Sequence, residues 1–319
     1  MDVVGIYMAD ESGLVTQALK EGARSAGLLP RVRSASDFRD GDTEDFDFAV
    51  LTTMRARGED ILRAYEKRKV MGRPGWRMPI WVMDYGFLNR VHGVADFQTG
   101  HWQACEGRLN NVVSYYCPPD RFEMLGLTLT HHGGDPKGYV LVCGQHAGDP
   151  SHGLSVDDQV GWATDMVLQY SATAPVVYRP HPASPTIVPA TGAYTLSTGT
   201  IDDALAGARL LVTICSNSGH DALLAGVPAV ASIPDRAAWG ELSGAELPGY
   251  DQRLRYFSRV ACSQWTLEEI RSGQWFKFLA HVDGRENPFG HAPEIVPTTV
   301  PLMRDAPPQR GRAASSVRR

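Results

Sequence analysis

Three short segments in the second half of the chain gather residues suited to holding an anion: Cys143-Gly144-Gln145-His146, Arg179-Pro180-His181-Pro182 and Ser216-Asn217-Ser218-Gly219-His220. Each follows a short apolar run, so each is expected just past a strand, at the edge where open α/β sheets bind ligands. In the third segment, small polar residues stand where a strand passes into a helix. Backbone N–H groups there would point outward at a helix N-terminus, and Gly219 would permit close approach. Ordinary N-capping by Ser216 or Asn217 has the same sequence, so both readings stay open. Arg179 after a buried strand is a charge that solvent or an anionic ligand must satisfy, and Pro180 and Pro182 fix where Arg179 and His181 point. The expected contacts to a diphosphate are therefore Gly144, Gln145, Arg179, His181, Ser216, Asn217, Ser218, Gly219 and His220.

In the first half, Asp84 precedes Tyr85-Gly86 at the end of another apolar run. A carboxylate at that edge is placed to take the proton of an attacking hydroxyl. It can equally cap the next turn. Asp10 and Glu11, beyond the first strand, are weaker alternatives, and Asp221 is expected to support the third loop from inside its helix. His131-His132, and His92 with His101, lack the spacing of metal ligands, so no metal is expected. There is no Walker A, no Gly-x-Ser-x-Gly elbow and no Gly-x-Gly-x-x-Gly. Glu268 and Glu269 read as helix surface and cap.

The elements that must position these residues alternate between strand and helix. Strands are expected over residues 3–8, 46–51, 79–83, 139–143, 175–178, 210–214 and 227–231. Helices are expected after Ser12, and over 58–70, 156–169, 201–206 and about 216–224. Two βα series with a break near the middle, where residues 89–134 show no clear period, imply two Rossmann-like lobes with parallel sheets. After Trp239 the pattern is helical, and Thr266 with Glu269 has capping-box spacing. Tyr256, Phe257, Trp265, Trp275, Phe276 and Phe278 are expected to pack between the lobes.

Composition sets outer limits. A chain of 319 residues suits two lobes, and no apolar run reaches the roughly 20 residues that span a bilayer. The opening MDVVGIYMADESG reads as a strand rather than a leader. Five scattered cysteines with no CxxC pair fit a reducing cytoplasm better than a disulfide framework or a zinc ribbon. The net charge of −5 does not advertise a polyanion partner, yet Arg55, Arg57, Arg63, Lys67, Arg68, Lys69, Arg73 and Arg77 crowd one stretch. That stretch is either a solvated helix face or a phosphate-contacting surface.

The Arg179-to-Pro182 turn followed by TICSNSGHDALLAGVPAVA resembles the donor-binding half of GT-B glycosyltransferases, especially the bacterial capsule and Kdo transferase-like group. The chain is similar also to phage and prophage glycosyltransferase-like proteins. The matching features are Asp84-Tyr85-Gly86, Ser216-Asn217 with Asp221-Ala222-Leu223, and Cys262-Ser263-Gln264-Trp265. It departs from them in the order of Tyr85 and Gly86 and in Ser263, which splits the Cys-Gln-Trp segment. The resemblance implies a GT-B-like α/β fold with two Rossmann-like lobes facing each other across a cleft. An acceptor-side lobe over residues 1–134 and a nucleotide-sugar lobe over 135–248 would be followed by helices over 249–300 that pack back across both. Residues 301–319 would form a basic, disordered tail. It further implies a metal-independent transferase with a nucleotide sugar, a UDP-sugar, as co-substrate, no other cofactor, and Asp84 as base. The acceptor would be hydroxymethylcytosine or a related hydroxymethylpyrimidine in double-stranded phage DNA, contacted by Arg57, Lys67, Arg68, Lys69 and Arg73, in the cytoplasm of a bacterial host. A cell-surface or capsular saccharide is the alternative acceptor. A non-catalytic nucleotide-sugar binding module and a nucleotide-sugar epimerase are the alternatives of other classes. No membrane and no obligate protein partner are expected.

Overall fold

The computed structural model describes residues 2–8, 13–39, 43, 46–52, 54, 57–70, 80–90, 98–114 and 117–283, apart from the side chains of residues 68–70 and 280–283. Asp10, Glu11, Ser12, Arg55, Arg73, Arg77, His92 and the expected tail lie outside the described residues.

The first sheet contains β1 (Val3–Met8), β2 (Leu29–Ser34), β3 (Phe48–Leu51), β4 (Ile80–Tyr85), β5 (His101–Glu106) and β11 (Gln264–Thr266). Their order is β11-β5-β4-β3-β1-β2. The four strands β2-β1-β3-β4 are parallel, as in a doubly wound sheet, while β5 runs antiparallel to β4 and β11 antiparallel to β5. Helix α1 (Leu14–Ser25) buries Thr16, Ala18, Leu19, Gly22 and Ala23, one face at helical spacing. Its N-cap is Gly13, with no side-chain cap bond. A Cβ on Gly22 would lie 1.8 Å from the Ile270 carbonyl oxygen, so only glycine admits the helix behind it. Helix α2 (Gly58–Val70) joins β3 to β4, and α3 (Asp120–Met124) follows β5.

The second sheet contains β6 (Tyr139–Cys143), β7 (Val176–Arg179), β8 (Thr195–Leu196), β9 (Ala208–Thr213) and β10 (Ala229–Ala231), all parallel, in the order β10-β9-β6-β7-β8. Read from its other edge this is 3-2-1-4-5, the Rossmann order, and it reverses between β6 and β9. Helices α4 (Val156–Ser171) and α5 (Ile201–Ala206) begin with complete capping boxes, Ser155 with Asp158 and Thr200 with Asp203. Helix α6 (Ser218–Ala225) ends at Gly226, whose φ of 77° suits glycine. The expected fold of two Rossmann-like α/β lobes is the one observed.

After α7 (Tyr250–Cys262) the chain returns to the first lobe, adding β11, α8 (Leu267–Arg271) and α9 (Gln274–Asp283). Trp265, Trp275, Phe276 and Phe278 therefore lie in the first-lobe core with Val4, Ile6 and Trp102, not between the lobes. Tyr256 and Phe257 do join the two lobes, in a cluster that unites Phe87, Leu88 and Cys105 with Leu141, Leu211, Leu223 and Trp239. Strands β2, β5, β8 and β11 and helix α3 were not expected from periodicity, and β4 runs through Asp84 and Tyr85 rather than stopping at Met83.

The return is fastened by Arg121, which is 5% exposed. It forms a forked pair with Glu269 (2.6 and 3.2 Å) and donates to the carbonyls of Ala261 (2.6 Å) and Gln264 (2.7 Å). Its guanidinium also lies 4.1 Å from the Trp265 ring centroid. Glu269 caps α8 through Thr266, as its spacing indicated, but it is buried rather than a surface residue. Burial alone would raise its carboxyl pKa; Arg121 outweighs that and holds it below the usual range. Replacing Glu269 by Ala strands a buried guanidinium and should cost about 3–5 kcal/mol, read from urea unfolding. A loss below 1 kcal/mol would show that Arg121 finds other partners.

His220 is a buried imidazole, and His101 is half-buried with its Nδ1 enclosed. Burial, with Arg121 adding to it and Glu269 opposing, lowers His101 from 6.5 to about 4. Burial, helped by Arg90, lowers His220 to about 3. Both stay neutral in the fold, whereas the unfolded chain takes up their protons below about pH 6.5. Stability is thus complete above that value and is lost as pH falls toward 4 and then 3. Denaturant midpoints should already drop between about pH 7.5 and 5, by several kcal/mol of stability. A flat profile over that interval would contradict the neutral assignment.

Candidate functional site

The three polar loops lie at the C-terminal edge of the second sheet, around the reversal between β6 and β9. They are tied to one another. The Gln145 side chain crosses the switch point, accepting from the Cys215 N–H (3.2 Å) and donating to Ser151 (2.8 Å). The His146 and His181 rings meet edge to face at 5.4 Å, and the Ala147 N–H donates to Ser184 at 3.0 Å. Burial, with the His146 ring and Arg90 adding to it, lowers the His181 pKa, while Asp149 pulls the other way.

Several expected ligand contacts turn out to hold the protein together. Gln145 is 5% exposed and lies beneath the loops. The Gly144 N–H donates to the Arg179 carbonyl (2.9 Å), and a Cβ there would sit 2.5 Å from the Tyr178 hydroxyl. Gly219 faces the Trp239 indole, which a Cβ would meet at 1.9 Å, so this glycine serves packing. The His220 side chain is fully buried, bonded to the Tyr256 hydroxyl at 2.7 Å and 5.5 Å from the Phe87 ring. It belongs to the core between the lobes, because the first turn of α6 points position 220 inward. In the Ser216–His220 loop the backbone N–H groups are largely turned onto the loop itself, which is the capping arrangement. Ser216 Oγ accepts the Ser218 N–H (3.2 Å), and the N–H groups of Gly219 and His220 close onto the carbonyls of Ser216 and Asn217. Asn217 is the N-cap residue but makes no side-chain cap bond.

Arg179 is the last residue of β7. It is half-buried, and its Nη1 donates to the Gly199 carbonyl at the start of α5. It also lies close enough to the buried Cys143 thiol to oppose the rise that burial causes there, as does Ser218. Asp221, in the first turn of α6, acts on Cys143 in the opposite sense and adds to the rise.

The first lobe contributes Asp84 and a residue that the sequence did not single out, Arg90. Asp84 is half-buried on β4, and its Oδ1 accepts the Tyr85 N–H at 2.7 Å. Its register partner is Gln103, whose neighbour Asn110, like Arg108, bonds to the second lobe at Arg236 and Asp235. Arg90 reaches Asp221 of α6 across the lobes at 3.7 Å. Of the cations expected at a nucleic-acid surface, the described ones lie on and beside α2. Arg57 pairs with Asp60 and donates to the Phe38 carbonyl, Arg63 pairs with Glu59, and Lys67 is exposed. Arg73 and the side chains of Arg68 and Lys69 lie outside the described residues. Among the described residues no cluster of three or more His, Cys, Asp or Glu could hold a metal ion, and no helix is long and apolar enough to cross a membrane.

No protein-family model matches the chain, and no curated protein does. Solved structures similar to it include the KpsC β-Kdo 2,7-transferase of Thermosulfurimonas dismutans, with 11% identity, a TM-score of 0.39 and 87% and 99% of the two chains covered. The UDP-GlcNAc 2-epimerase of Methanocaldococcus jannaschii is similar at 9% identity and a TM-score of 0.35, covering 88% of this chain and 99% of that one. A family 9 glycosyl transferase of Veillonella parvula is similar at 11% identity and a TM-score of 0.25, covering 82% and 97%. At TM-scores this low the likenesses carry no argument about the reaction.

Proposed function

We propose that the protein transfers a sugar from a nucleotide-sugar donor, a UDP-sugar, to an acceptor hydroxyl. The observation that carries this reading is the meeting of three polar loops at the β6/β9 switch point, in a lobe of Rossmann order, opposite a first lobe that offers Arg90 and Asp84. The loop after β6 reads Cys143-Gly144-Gln145-His146 and has no Gly-x-Gly-x-x-Gly pattern, which argues against a dinucleotide cofactor. Arg179, His181 and the Ser216–Ser218 turn would hold the donor phosphates. Asp84 would take the acceptor proton as its oxygen bonds to the anomeric carbon. The bond from the anomeric carbon to the diphosphate oxygen breaks as the new one forms, and the departing nucleoside diphosphate keeps the electron pair, its charge met by Arg179 and the start of α6.

For the acceptor, the resemblance in sequence favours a hydroxymethylated pyrimidine in double-stranded DNA, with a surface saccharide as the alternative. Purified protein incubated with labelled nucleotide sugars, with and without hydroxymethylcytosine-containing DNA, decides between them. Label in modified but not plain DNA supports the first acceptor. Nucleotide release without labelled DNA moves the acceptor to a saccharide, and no donor bound or consumed ends the transferase reading. Asp84→Asn should cut turnover by about 10²- to 10⁴-fold while leaving donor binding intact. Unchanged turnover would remove Asp84 as the base, and a binding module would show donor affinity with no turnover in either protein.

A further inference from the structure

Arg90 is presented by a turn that several hydrogen bonds hold in place. Gly86 donates to the His101 carbonyl at 2.8 Å, where a Cβ would come within 2.5 Å of that oxygen. The Phe87 and Leu88 N–H groups both donate to the Gln264 side-chain oxygen (3.0 and 2.9 Å), and Gln264 returns a bond to the Leu88 carbonyl (3.0 Å). Asn89 takes a left-handed φ of 46° and donates its side-chain N–H to the Leu125 carbonyl at 3.0 Å. Arg90 itself forms a β-bridge with His101. Phe87 packs inward against His220, and Arg90 reaches Asp221 in the first turn of α6.

The contact it makes there, with Asp221, is long. The Arg90–Asp221 contact is a single approach of 3.7 Å, beyond hydrogen-bonding distance, between side chains 29% and 27% exposed. An ion pair of that geometry contributes little, whereas an arginine paired with a phosphate makes short, charge-assisted bonds. The same guanidinium lowers the pKa of His181 from across the lobes, so it stands within electrostatic reach of the β7 loop as well as of α6. A rigid mount, a weak resting partner and a position over the second lobe's polar loops are what an anion ligand needs.

We propose that Arg90 is the first lobe's ligand for the donor diphosphate, exchanging Asp221 for phosphate oxygens so that the donor is gripped from both lobes. This rests on the donor site described under the proposed function. Asp221 then acts as a competing anion that lowers affinity for the phosphate and keeps the guanidinium in place.

The test is calorimetric binding of UDP, with inorganic pyrophosphate as a base-free probe, to wild type, Arg90→Gln, Arg90→Lys, Asp221→Asn and the Arg90→Gln/Asp221→Asn double variant. Thermal midpoints are measured on each. Arg90→Gln should weaken both probes by roughly 10- to 100-fold, with Arg90→Lys between it and wild type. Asp221→Asn should tighten binding a few-fold, and that gain should vanish in the double variant. A structural pair would instead lose affinity and thermal midpoint together in both single variants. Arg90→Gln binding as wild type does, or Asp221→Asn binding no tighter than wild type, overturns the exchange while the donor site stands. Wild type that binds neither probe overturns the donor site and Arg90's role together.

Discussion

The guanidinium of Arg121 decides where the end of the chain goes. Buried, it makes four hydrogen bonds, two to the Glu269 carboxylate and one each to the carbonyls of Ala261 and Gln264. Those bonds set the register in which β11 pairs with β5, and with it the place of Gln264. Gln264 in turn spends its amide on the backbone of Phe87 and Leu88, and so fixes the turn that carries Arg90. A residue more than 30 positions from Arg90 in sequence thus controls where Arg90 stands over the second lobe. The Cys262-Ser263-Gln264-Trp265 segment owes its composition to this task. Ser263 accepts from the Val113 N–H (2.9 Å) and donates to the Arg259 carbonyl (2.9 Å), while Trp265 fills the first-lobe core under Arg121.

A second constraint acts at the switch point. Loops that present polar groups to a ligand must also satisfy their own backbone without apolar cover. Here Gln145 does so by bonding to the loop after β9, and Gly144 and Gly219 let Tyr178 and Trp239 close beneath the loops. Arg253, 0% exposed, performs the corresponding service for the far end of α6, taking the carbonyls of Leu223, Thr130, His131 and Pro248. Of the polar side chains at this edge, His146 stays exposed and Arg179, His181 and Asn217 half-buried.

How much of this was legible in the sequence follows from local periodicity. β1, β6, α2 and α5 were readable to the residue because their apolar spacing or caps are self-contained. β2 reads LPRVRS, an edge strand with alternate residues exposed, and β5 reads HWQACE, with Gln103 bonded inward; neither offers a clean apolar run. β11 has three residues and exists because Arg121 and β5 hold it. The loops of the site were legible because a strand end followed by small polar residues marks a ligand edge. The burial of His220 was not, since it depends on which way α6 enters the core. Arg90 was hidden for a related reason: its importance comes from a left-handed Asn89 and a partner 131 positions away.

The shared core bears on how the two lobes can work together. Phe87 and Leu88 are 1% and 3% exposed within a cluster whose other members come mostly from the second lobe and α7. Separating the lobes at this contact would expose both side chains, at about 1.5–3 kcal/mol each, and would leave His220 without its packing on Phe87. A wide hinge opening here is therefore costly, and the contact acts as a fixed fulcrum. Exchange of the proposed ligand would be accommodated above it, where Arg90 and Asp221 are about a quarter exposed and 3.7 Å apart. A firm fulcrum beside a long ion pair would let movement of these side chains alone admit the proposed ligand, without unpacking the core.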